Sequence, residues 1–413
     1  MRWGTDIDTT RRTVLLTRAV RAFVDGVAFV VLPAHLTELG FSATQVGAIV
    51  AASLLGSAVL TLSLGWVSHR WSARTLLTAT SWIMLTTGIA FGLTTVFVPL
   101  LLISAVTTMN TSAGDVSPFL PVEQAVLGNA ADGSERTSLF ARYNLVGSLV
   151  GALGALCAAL PVVIAGWFGA SDRAGRQGAF VAYGCAGLVS LALYSRLPRD
   201  HSHTPGQRRA PLSPGSRRVV LRLAALFSLD SFGGGFATQA IFALWVYGRF
   251  DVSIESLGAV FFVSGGVSAV SSLLSARIAS RIGLVRTMVY THIPASVLLV
   301  LVAASPNFTV AMALFVARSL LSQMDVPVRT SYVMSVVAPE ERTAAASITN
   351  VPRSLASALP PLAAGWMLDQ TSVGWPLVAC AVCKLTYDVL LLRMFRNVTP
   401  LHEQSPGGDG AAR

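Results

Sequence analysis

The stretch ERTSLFARYNLVGSLVGAL, residues 135–153, has a second copy further along the chain, ERTAAASITNVPRSLASAL, at residues 341–359. Eight of the nineteen aligned positions carry the same residue. A similar shift, about 205 to 211 residues, also aligns GDVSPF (114–119) with MDVPVR (324–329). Agreement at two places in the same order predicts an internal repeat, so the chain is expected to consist of two related halves.

The composition indicates a membrane protein. Of 413 residues, 53% are hydrophobic and 12% are charged, whereas a soluble domain carries about 25% charged residues. Apolar runs of about 20 residues recur along the chain, and each is long enough to cross a hydrocarbon layer of about 30 Å as a helix. Twelve such segments are predicted near residues 13–36, 44–67, 75–94, 97–127, 137–167, 177–195, 219–247, 255–275, 286–305, 308–336, 343–368 and 374–396.

The two halves are predicted to have the same orientation in the membrane, because six spans per repeat is an even number. The predicted fold class is an all-α membrane protein with twelve transmembrane helices, arranged as two six-helix bundles related by a pseudo-two-fold axis along the membrane normal. A basic stretch rich in Pro, Gly and Ser predicts a linker between them. The predicted organisation is a first bundle at 1–195, a cytoplasmic linker at 196–218, a second bundle at 219–396 and a flexible tail at 397–413.

The distribution of positive charge predicts the topology. The net charge is +10, and most arginines fall at the termini or in even-numbered connections, for example Arg70, Arg136 and Arg286. The positive-inside rule therefore places both termini in the cytoplasm of a multi-pass protein of the inner (plasma) membrane. The charge is interpreted as contact with the lipid bilayer rather than with nucleic acid. His201 and His203, in the linker, are interpreted as solvated, with metal binding as the alternative.

The loop after span 2 reads GWVSHRWSAR, residues 65–74. Together with the twelve spans and the basic linker, it resembles the Gly-x-x-x-acid-Arg-x-Gly-Arg-Arg loop of the major facilitator superfamily, and the resemblance covers nearly the whole chain. In that family the loop helps to latch the two halves. Here His69 replaces the acid and Ser72 the second glycine, so His69 is a candidate for a pH-sensitive latch, with a solvated histidine as the alternative. The residues expected to form this gating loop are Gly65, His69, Arg70, Arg74 and, as the repeat partner of Arg70, Arg281.

A glycine-rich stretch in span 5, NLVGSLVGALGAL, weakly resembles the motif of that family's drug/proton antiporters through Gly147, Gly151 and Gly154. Ala152 stands where the motif has a proline. The resemblance implies proton-coupled antiport, that is, efflux of a drug or metabolite. Small residues three to four positions apart also let helices approach closely, so helix packing is the alternative interpretation.

Four aspartates are predicted near the middle of membrane spans. Asp115 and Asp325 are repeat partners in spans 4 and 10, and Asp25 and Asp230 lie at comparable depths of spans 1 and 7. A carboxylate at that depth costs roughly 2.5 to 3.5 kcal/mol on insertion scales, which indicates a purpose. The resemblance implies that these four spans line a central cavity. All four residues are therefore candidates for proton coupling, because carboxyl groups in a low dielectric can exchange protons near neutral pH.

The alternative is that arginines hold these carboxylates in structural ion pairs. Arg21 precedes Asp25 by one helical turn, and Arg318, Asp325 and Arg329 share one helical face. The repeat aligns Arg329 with Phe119 and Arg353 with Gly147, so the second half is expected to carry two cations that the first half lacks. We therefore expect proton coupling in the first half, through Asp25 and Asp115, and substrate orientation in the second. The substrate-binding candidates are Arg329, Arg353, Phe119, Phe232, Tyr332, Gln239 and Glu123.

The predicted function is secondary active transport of a small organic molecule by alternating access, as proton-coupled export. The alternative is a proton-coupled importer of a small organic anion, centred on Arg329 and Arg353. A non-transporting receptor or scaffold is less favoured, because the chain has no long tail or loop beyond the linker. An enzyme is not expected, because no phosphate loop, HExxH or Ser/His/Asp grouping is present. No cofactor or metal is expected, and the protein is expected to act as a monomer.

Pro118 and Pro121 predict a bend in span 4.

Overall fold

The computed structural model describes residues 2–68, 70–111, 117–129, 133–198 and 212–395. The predictions that concern His69, Asp115, the centre of the linker and the tail lie outside these residues. Throughout the described residues the regular secondary structure is helical. Nine of the described helical segments are long and apolar enough to cross a bilayer.

The first half of the chain forms eight helices, which make up six spans. Two of the spans are interrupted, so that each consists of two shorter helices. The helices are α1 (Arg2–Glu38), α2 (Ala43–Val67), α3 (Ala73–Leu93), α4 (Phe97–Ser104), α5 (Phe119–Asn129), α6 (Gly133–Leu156), α7 (Leu160–Trp167) and α8 (Asp172–Tyr194).

The second half repeats this order with three interrupted spans, the first, fourth and fifth of the half. A short 3-10 helix, Pro339–Glu341, precedes its fifth span. The helices are α9 (Pro214–Gly235), α10 (Gln239–Phe250), α11 (Ile254–Ile282), α12 (Leu284–Ala303), α13 (Phe308–Ser322), α14 (Asp325–Ser335), α15 (Arg342–Ala358), α16 (Pro360–Gln370) and α17 (Trp375–Phe395).

Span 4 and span 10, its repeat partner, are both interrupted between two shorter helices. Between α4 and α5, the residues on either side of the undescribed segment 112–116 are not helical, and Pro118 and Pro121 lie at the start of α5. Between α13 and α14 only Gln323 and Met324 interrupt the helix. The bend predicted from the two prolines is therefore present, and it leaves backbone groups free for other partners.

Acidic residues at equivalent places of the repeat hold the start of each bundle. Glu135, at the start of α6, accepts a hydrogen bond of 2.6 Å from Arg11 of α1. Glu341, its repeat partner, accepts one of 2.5 Å from the backbone N–H of Ser213, the residue that precedes α9. Hydrogen bonds from the Ser216 hydroxyl and from the Ser213 backbone lower the pKa of Glu341. The two halves therefore resemble each other in these hydrogen bonds as well as in sequence.

The two bundles contact each other at the end of the molecule where α2 begins and α16 ends. The carboxylate of Asp369 in α16 accepts hydrogen bonds from the backbone N–H groups of Ala43 and Thr44, at 2.7 and 2.8 Å. These N–H groups lie in the first turn of α2 and have no partner within their own helix. Nearby, a Cβ added to Gly47 would lie 2.2 Å from the Pro361 carbonyl oxygen, so a side chain there would hold α2 and α16 apart.

Candidate functional site

Glu123 of α5 lies at the centre of a buried cluster in the first bundle. Its side chain is fully buried and forms an ion pair with Arg21 of α1. The hydroxyls of Tyr143 and Tyr194 each donate a hydrogen bond of 2.5 Å to its carboxylate, and the Thr17 hydroxyl donates one of 3.3 Å. These four partners, from α1, α6 and α8, compensate the cost of burying the charge. The charge of Glu123 is therefore neutralised and its carboxylate is hydrogen-bonded by residues of the protein, without a ligand.

Phe119 belongs to the same cluster. The guanidinium of Arg21 lies 3.9 Å from the centre of the Phe119 ring, where the ring face attracts a cation. The ring also stacks on Tyr194, with 6.1 Å between the ring centres, and Phe119 is 1% exposed. Substrate binding by Glu123 or Phe119 remains a prediction, and it would require this cluster to open.

Asp25 of α1 differs from Glu123 because it forms no ion pair with a cation among the residues that the structure describes. It is half-buried, and its Oδ1 accepts a hydrogen bond of 3.1 Å from the backbone N–H of Asn110, next to the break in span 4. The Tyr183 hydroxyl also bonds to its side chain. Within the described part of the chain, Asp25 forms no ion pair with an arginine or lysine, because Arg21 pairs with Glu123 instead. Arg21 and Arg18 act on Asp25 only at longer range, and its polar contacts are with uncharged groups.

Asp230 of α9 is the centre of the charged network in the second bundle. Its Oδ2 lies 2.8 Å from Nη1 of Arg329, and its Oδ1 lies 2.7 Å from Nζ of Lys384. The other terminal nitrogen of Arg329 lies 3.4 Å from Asp325. Asp230, Asp325 and Arg329 are all buried. Asp230 and Asp325 therefore behave as members of ion pairs, which is the alternative that the sequence left open for them.

His292 of α12 extends this network and was not singled out from the sequence. Its Nδ1 lies 3.0 Å from Oδ1 of Asp388, and its Nε2 lies 3.3 Å from Nζ of Lys384. The tautomer with hydrogen on Nδ1 fits both contacts, because it donates to Asp388 and accepts from Lys384. A histidine inside an apolar segment, THIPASVLLV, is the sequence signal that points to this residue.

Two half-buried arginines of the second bundle, each within electrostatic reach of Asp230, contact no carboxylate among the residues that the structure describes. Arg353 of α15 donates from Nε to the Ser231 hydroxyl, at 2.9 Å. Arg318 of α13 makes no hydrogen bond or ion pair with any described residue, and its Nε is buried. Both side chains are half-buried. Substrate binding by Arg353 remains a prediction, whereas Arg318 was expected from the sequence only as an ion-pair partner of Asp325.

The central ion pairs of the two bundles have opposite polarity. Helices α5 and α14 each have eleven residues, and the fifth residue is Glu123 in α5 and Arg329 in α14. In the first bundle the cation is on span 1 and the anion on span 4, whereas in the second bundle Asp230 on span 7 is the anion. The repeat partner of Arg329 is therefore Glu123, which corrects the sequence-based alignment with Phe119.

The first bundle also has cations in its interior, although not at the repeat positions of Arg329 and Arg353. A Cβ added to Gly147, the repeat partner of Arg353, would lie 2.4 Å from the Nε of Arg18. The first bundle therefore places the side chain of Arg18 against the position that Arg353 occupies in the second, and it carries Arg21 as well. The bundles differ in how these cations are paired and not in whether they have them.

The remaining predicted residues make other contacts. Phe232 packs on Phe236, with 5.5 Å between ring centres, and lines an apolar groove between spans 7, 11 and 12. Tyr332 is 1% exposed and its hydroxyl has no hydrogen-bond partner among the described residues. Gln239 begins α10 at the break in span 7.

The described part of the gating loop is held within the first bundle. Arg74 donates to the backbone oxygen of Leu197, at 3.2 Å, and so ties the loop to the end of α8. Gly65, Arg70 and Arg281 are exposed, and Arg281 lies in the last turn of α11. A role of these residues as a latch between the bundles remains a prediction.

The glycines of span 5 let α6 pack directly on α1. A Cβ added to Gly154 would lie 2.0 Å from the Phe23 carbonyl oxygen, and one added to Gly26 of α1 would lie 2.1 Å from the Gly151 carbonyl oxygen. No side chain fits at such separations, so both glycines are required for the helices to approach this closely. The contacts support helix packing as the role of this stretch.

Two bundles of membrane-spanning helices, broken spans and charged residues in the bundle interiors together define a membrane transporter. A family model described as Major Facilitator Superfamily matches residues 14–293 and 230–412. The chain therefore belongs to the Major Facilitator Superfamily. It is a secondary transporter and not an enzyme, and the predicted family and fold class are confirmed.

The similar proteins include one relative and two solved structures that cover nearly the whole chain. The uncharacterized membrane protein YJR124C of Saccharomyces cerevisiae is 23% identical over 402 residues, which is 89% of this chain and 90% of the relative. A mutant form of the nucleoside transporter NupG has a TM-score of 0.74 and 13% identity, over 94% of this chain and 100% of its own. A bacterial homolog of the human lysosomal transporter Spinster has a TM-score of 0.73 and 15% identity, over 94% of this chain and 97% of its own. These structures share the fold of this chain.

Proposed function

We propose that the protein transports a small organic molecule by alternating access and that proton binding at Asp25 drives the cycle. The observation that carries this proposal is the contrast between Asp25, which has no cationic partner within the described residues, and Asp230, which has two. Arginine and lysine hold a carboxylate in its charged form, whereas burial without them favours the protonated form. Asp25 is therefore the described carboxyl group best suited to gain and lose a proton during transport.

The position of Asp25 links its protonation to movement of the helices. Its hydrogen bond to the Asn110 backbone joins span 1 to the break in span 4, where few helical hydrogen bonds resist bending. An ionised carboxylate strengthens this bond, and a protonated one weakens it. Opening at the opposite end requires the contact between Asp369 and the first turn of α2 to separate. Asp115, predicted to share the proton-coupling role, is proposed as a second carrier.

We propose export as the direction of transport, on the resemblance of Gly147, Gly151 and Gly154 to the antiporter motif. The second candidate is proton-coupled import of a small organic anion, which Arg353 favours because its partner is a neutral hydroxyl. Substrate transport in proteoliposomes with an imposed proton gradient separates the two. Export predicts that substrate moves against the direction of the proton flow, whereas import predicts movement in the same direction as the protons.

We propose that both termini and the linker face the cytoplasm of a plasma-membrane protein, with bundles at 1–195 and 219–396. The Asp369 contact then lies on the outer side. A cysteine introduced at Ser171, which is exposed before α8, is expected to react with an impermeant maleimide from outside the cell. A cysteine at Ser202, in the linker, is expected to react only after the membrane is permeabilised. Labelling of position 202 from outside contradicts this orientation.

Replacing Asp25 with asparagine is expected to uncouple transport from the proton gradient. Asparagine keeps the volume and the hydrogen bond from Asn110 but cannot release a proton. Gradient-driven transport is expected to fall by roughly a hundredfold, the size of effect common when a proton-transfer group is removed, while substrate exchange without a gradient continues. The measurement compares both modes in proteoliposomes, with a substrate found by thermal-shift screening.

The matched control is Asp251→Asn, which removes an exposed carboxylate from a left-handed position that asparagine tolerates. It is expected to leave both modes of transport unchanged. Gradient-driven transport that survives in Asp25→Asn rules out Asp25 as the coupling residue. Loss of both driven transport and exchange, with the protein still folded, assigns it to substrate binding instead.

A further inference from the structure

Near Asp230, the guanidinium groups of Arg353 and Arg318 are charges without a carboxylate contact among the described residues. Arg353 uses only its Nε, for the Ser231 hydroxyl, and its two terminal nitrogens make no hydrogen bond to a described residue. These terminal nitrogens are not among the fully enclosed atoms, whereas Nε of Arg318 is. Both side chains are half-buried, and the terminal nitrogens of Arg353 are hydrogen-bond donors without a partner among the described residues.

The charges around them do not balance. The interior of the second bundle around Asp230 contains four permanent cations, Arg318, Arg329, Arg353 and Lys384, and three carboxylates, Asp230, Asp325 and Asp388. With His292 neutral this leaves one excess positive charge, and with His292 protonated it leaves two. Since the carboxylates contact Arg329, Lys384 and His292, the excess charge lies on Arg353 and Arg318.

Both arginines lie near the centre of this network. Asp230 acts electrostatically on both Arg318 and Arg353, and the strongest electrostatic effect on Arg353 comes from Arg329. Arg329 therefore repels the guanidinium of Arg353, and the low dielectric of a protein interior strengthens this repulsion. An anion is the partner that would remove this repulsion. A cationic ligand would instead be repelled by Arg353, and Asp230 and Asp325 are already neutralised by their ion pairs.

We infer that the transported molecule is a small organic anion whose carboxylate or phosphate group binds the terminal nitrogens of Arg353, with Arg318 adding positive charge at longer range. A guanidinium presents two parallel N–H donors that match either group. Arg329, which the sequence favoured for this role, is occupied by Asp230 and Asp325. The inference rests on the proposed transport function but not on its direction or on the proton-coupling residue.

The test is a thermal-shift titration of the full-length protein in nanodiscs at pH 7, without any gradient. The probes are matched pairs that differ in charge: benzoate and benzamide, succinate and succinamide, glycerol 3-phosphate and glycerol. At least one anion is expected to raise the melting temperature, because a ligand of the folded state stabilises it, and its neutral partner is not.

Variants then assign the binding to the arginine. Arg353→Gln is expected to raise the half-saturating concentration of that anion at least about tenfold, and Arg353→Lys by less, because the charge remains but the planar fork is lost. Arg249→Gln is the control, since it removes an exposed arginine at the far end of span 7. It is expected to leave binding unchanged.

The melting temperatures of the variants without ligand distinguish a role of Arg353 in ligand binding from a role in stabilising the fold. Arg353→Gln removes an unmatched charge, so its melting temperature is expected to equal or exceed that of the wild type. Arg329→Gln leaves Asp230 and Asp325 with fewer partners, so its melting temperature is expected to fall. If the melting temperature of Arg353→Gln falls as far as that of Arg329→Gln, the role of Arg353 is structural and the inference is wrong.

Two further outcomes overturn the inference. One is the absence of stabilisation by every anion of the panel, and the other is stabilisation by an anion that Arg353→Gln leaves unchanged. Because no gradient is applied, a failure of proton coupling at Asp25 does not affect these results. Conversely, proton-driven transport of a neutral or cationic molecule would preserve the proposed function and remove the organic anion as its substrate.

Discussion

Replacing Glu123 with glutamine is expected to remove most of the folded protein. Arg21 would then keep its positive charge in a buried site with no counter-charge, since its other contacts are the Phe119 ring and the Ser117 hydroxyl. Removing one partner of a buried ion pair costs roughly 3 to 5 kcal/mol, a large part of the stability of a typical domain. The measurement is the melting temperature of the purified protein, together with the monodisperse fraction in gel filtration.

Two further variants test whether the charge itself causes the loss. Tyr143→Phe removes one hydrogen bond to Glu123 and is expected to cost only about 1 to 3 kcal/mol. The double variant Arg21→Met with Glu123→Leu removes both charges and is expected to recover part of the stability lost in Glu123→Gln, because apolar pairs can replace buried ion pairs. A Glu123→Gln protein that melts close to the wild type contradicts the structural role.

Replacing Asp230 with asparagine is expected to have a comparable effect in the second bundle. Two cations, Arg329 and Lys384, lose their shortest contact at once, and only Arg329 keeps a second carboxylate, Asp325, at 3.4 Å. The cost is expected to be roughly 3 to 5 kcal/mol, as for any buried charge left without its partner. The loss is measured as the shift in melting temperature.

Asp325→Asn is the matched comparison, because Arg329 then keeps its contact of 2.8 Å with Asp230. Its melting temperature is expected to fall much less than that of Asp230→Asn, so transport is the property it would impair. Equal losses in the two variants would show that the longer contact between Arg329 and Asp325 is as important as the shorter one to Asp230. Equal melting temperatures for Asp230→Asn and the wild type would exclude a structural ion pair.

The break in span 4 shows how far the sequence could predict the structure of the site. Pro118 and Pro121 lack the N–H groups that a continuous helix needs, so an interruption followed from their positions alone. The partners of the nearby charges did not follow in the same way. Arg21 lies one turn from Asp25 in the sequence, yet its guanidinium reaches Glu123, 102 residues away. A long, flexible side chain can choose among several partners, and only the packing of the helices decides between them.

The sequence by itself determined the class of the protein, because that depends on properties that do not require packing. Length, hydrophobicity and the repeat of residues 135–153 at 341–359 were sufficient to predict twelve spans in two parallel halves. The tertiary structure alone decided which buried charges are neutralised. It showed that Glu123 and Asp230 are held in ion pairs, that His292 joins Lys384 to Asp388, and that Arg353 is left without a carboxylate among the described residues. Electrostatic energy depends on distances of a few Å between residues far apart in the chain, and only the folded arrangement of the helices sets those distances.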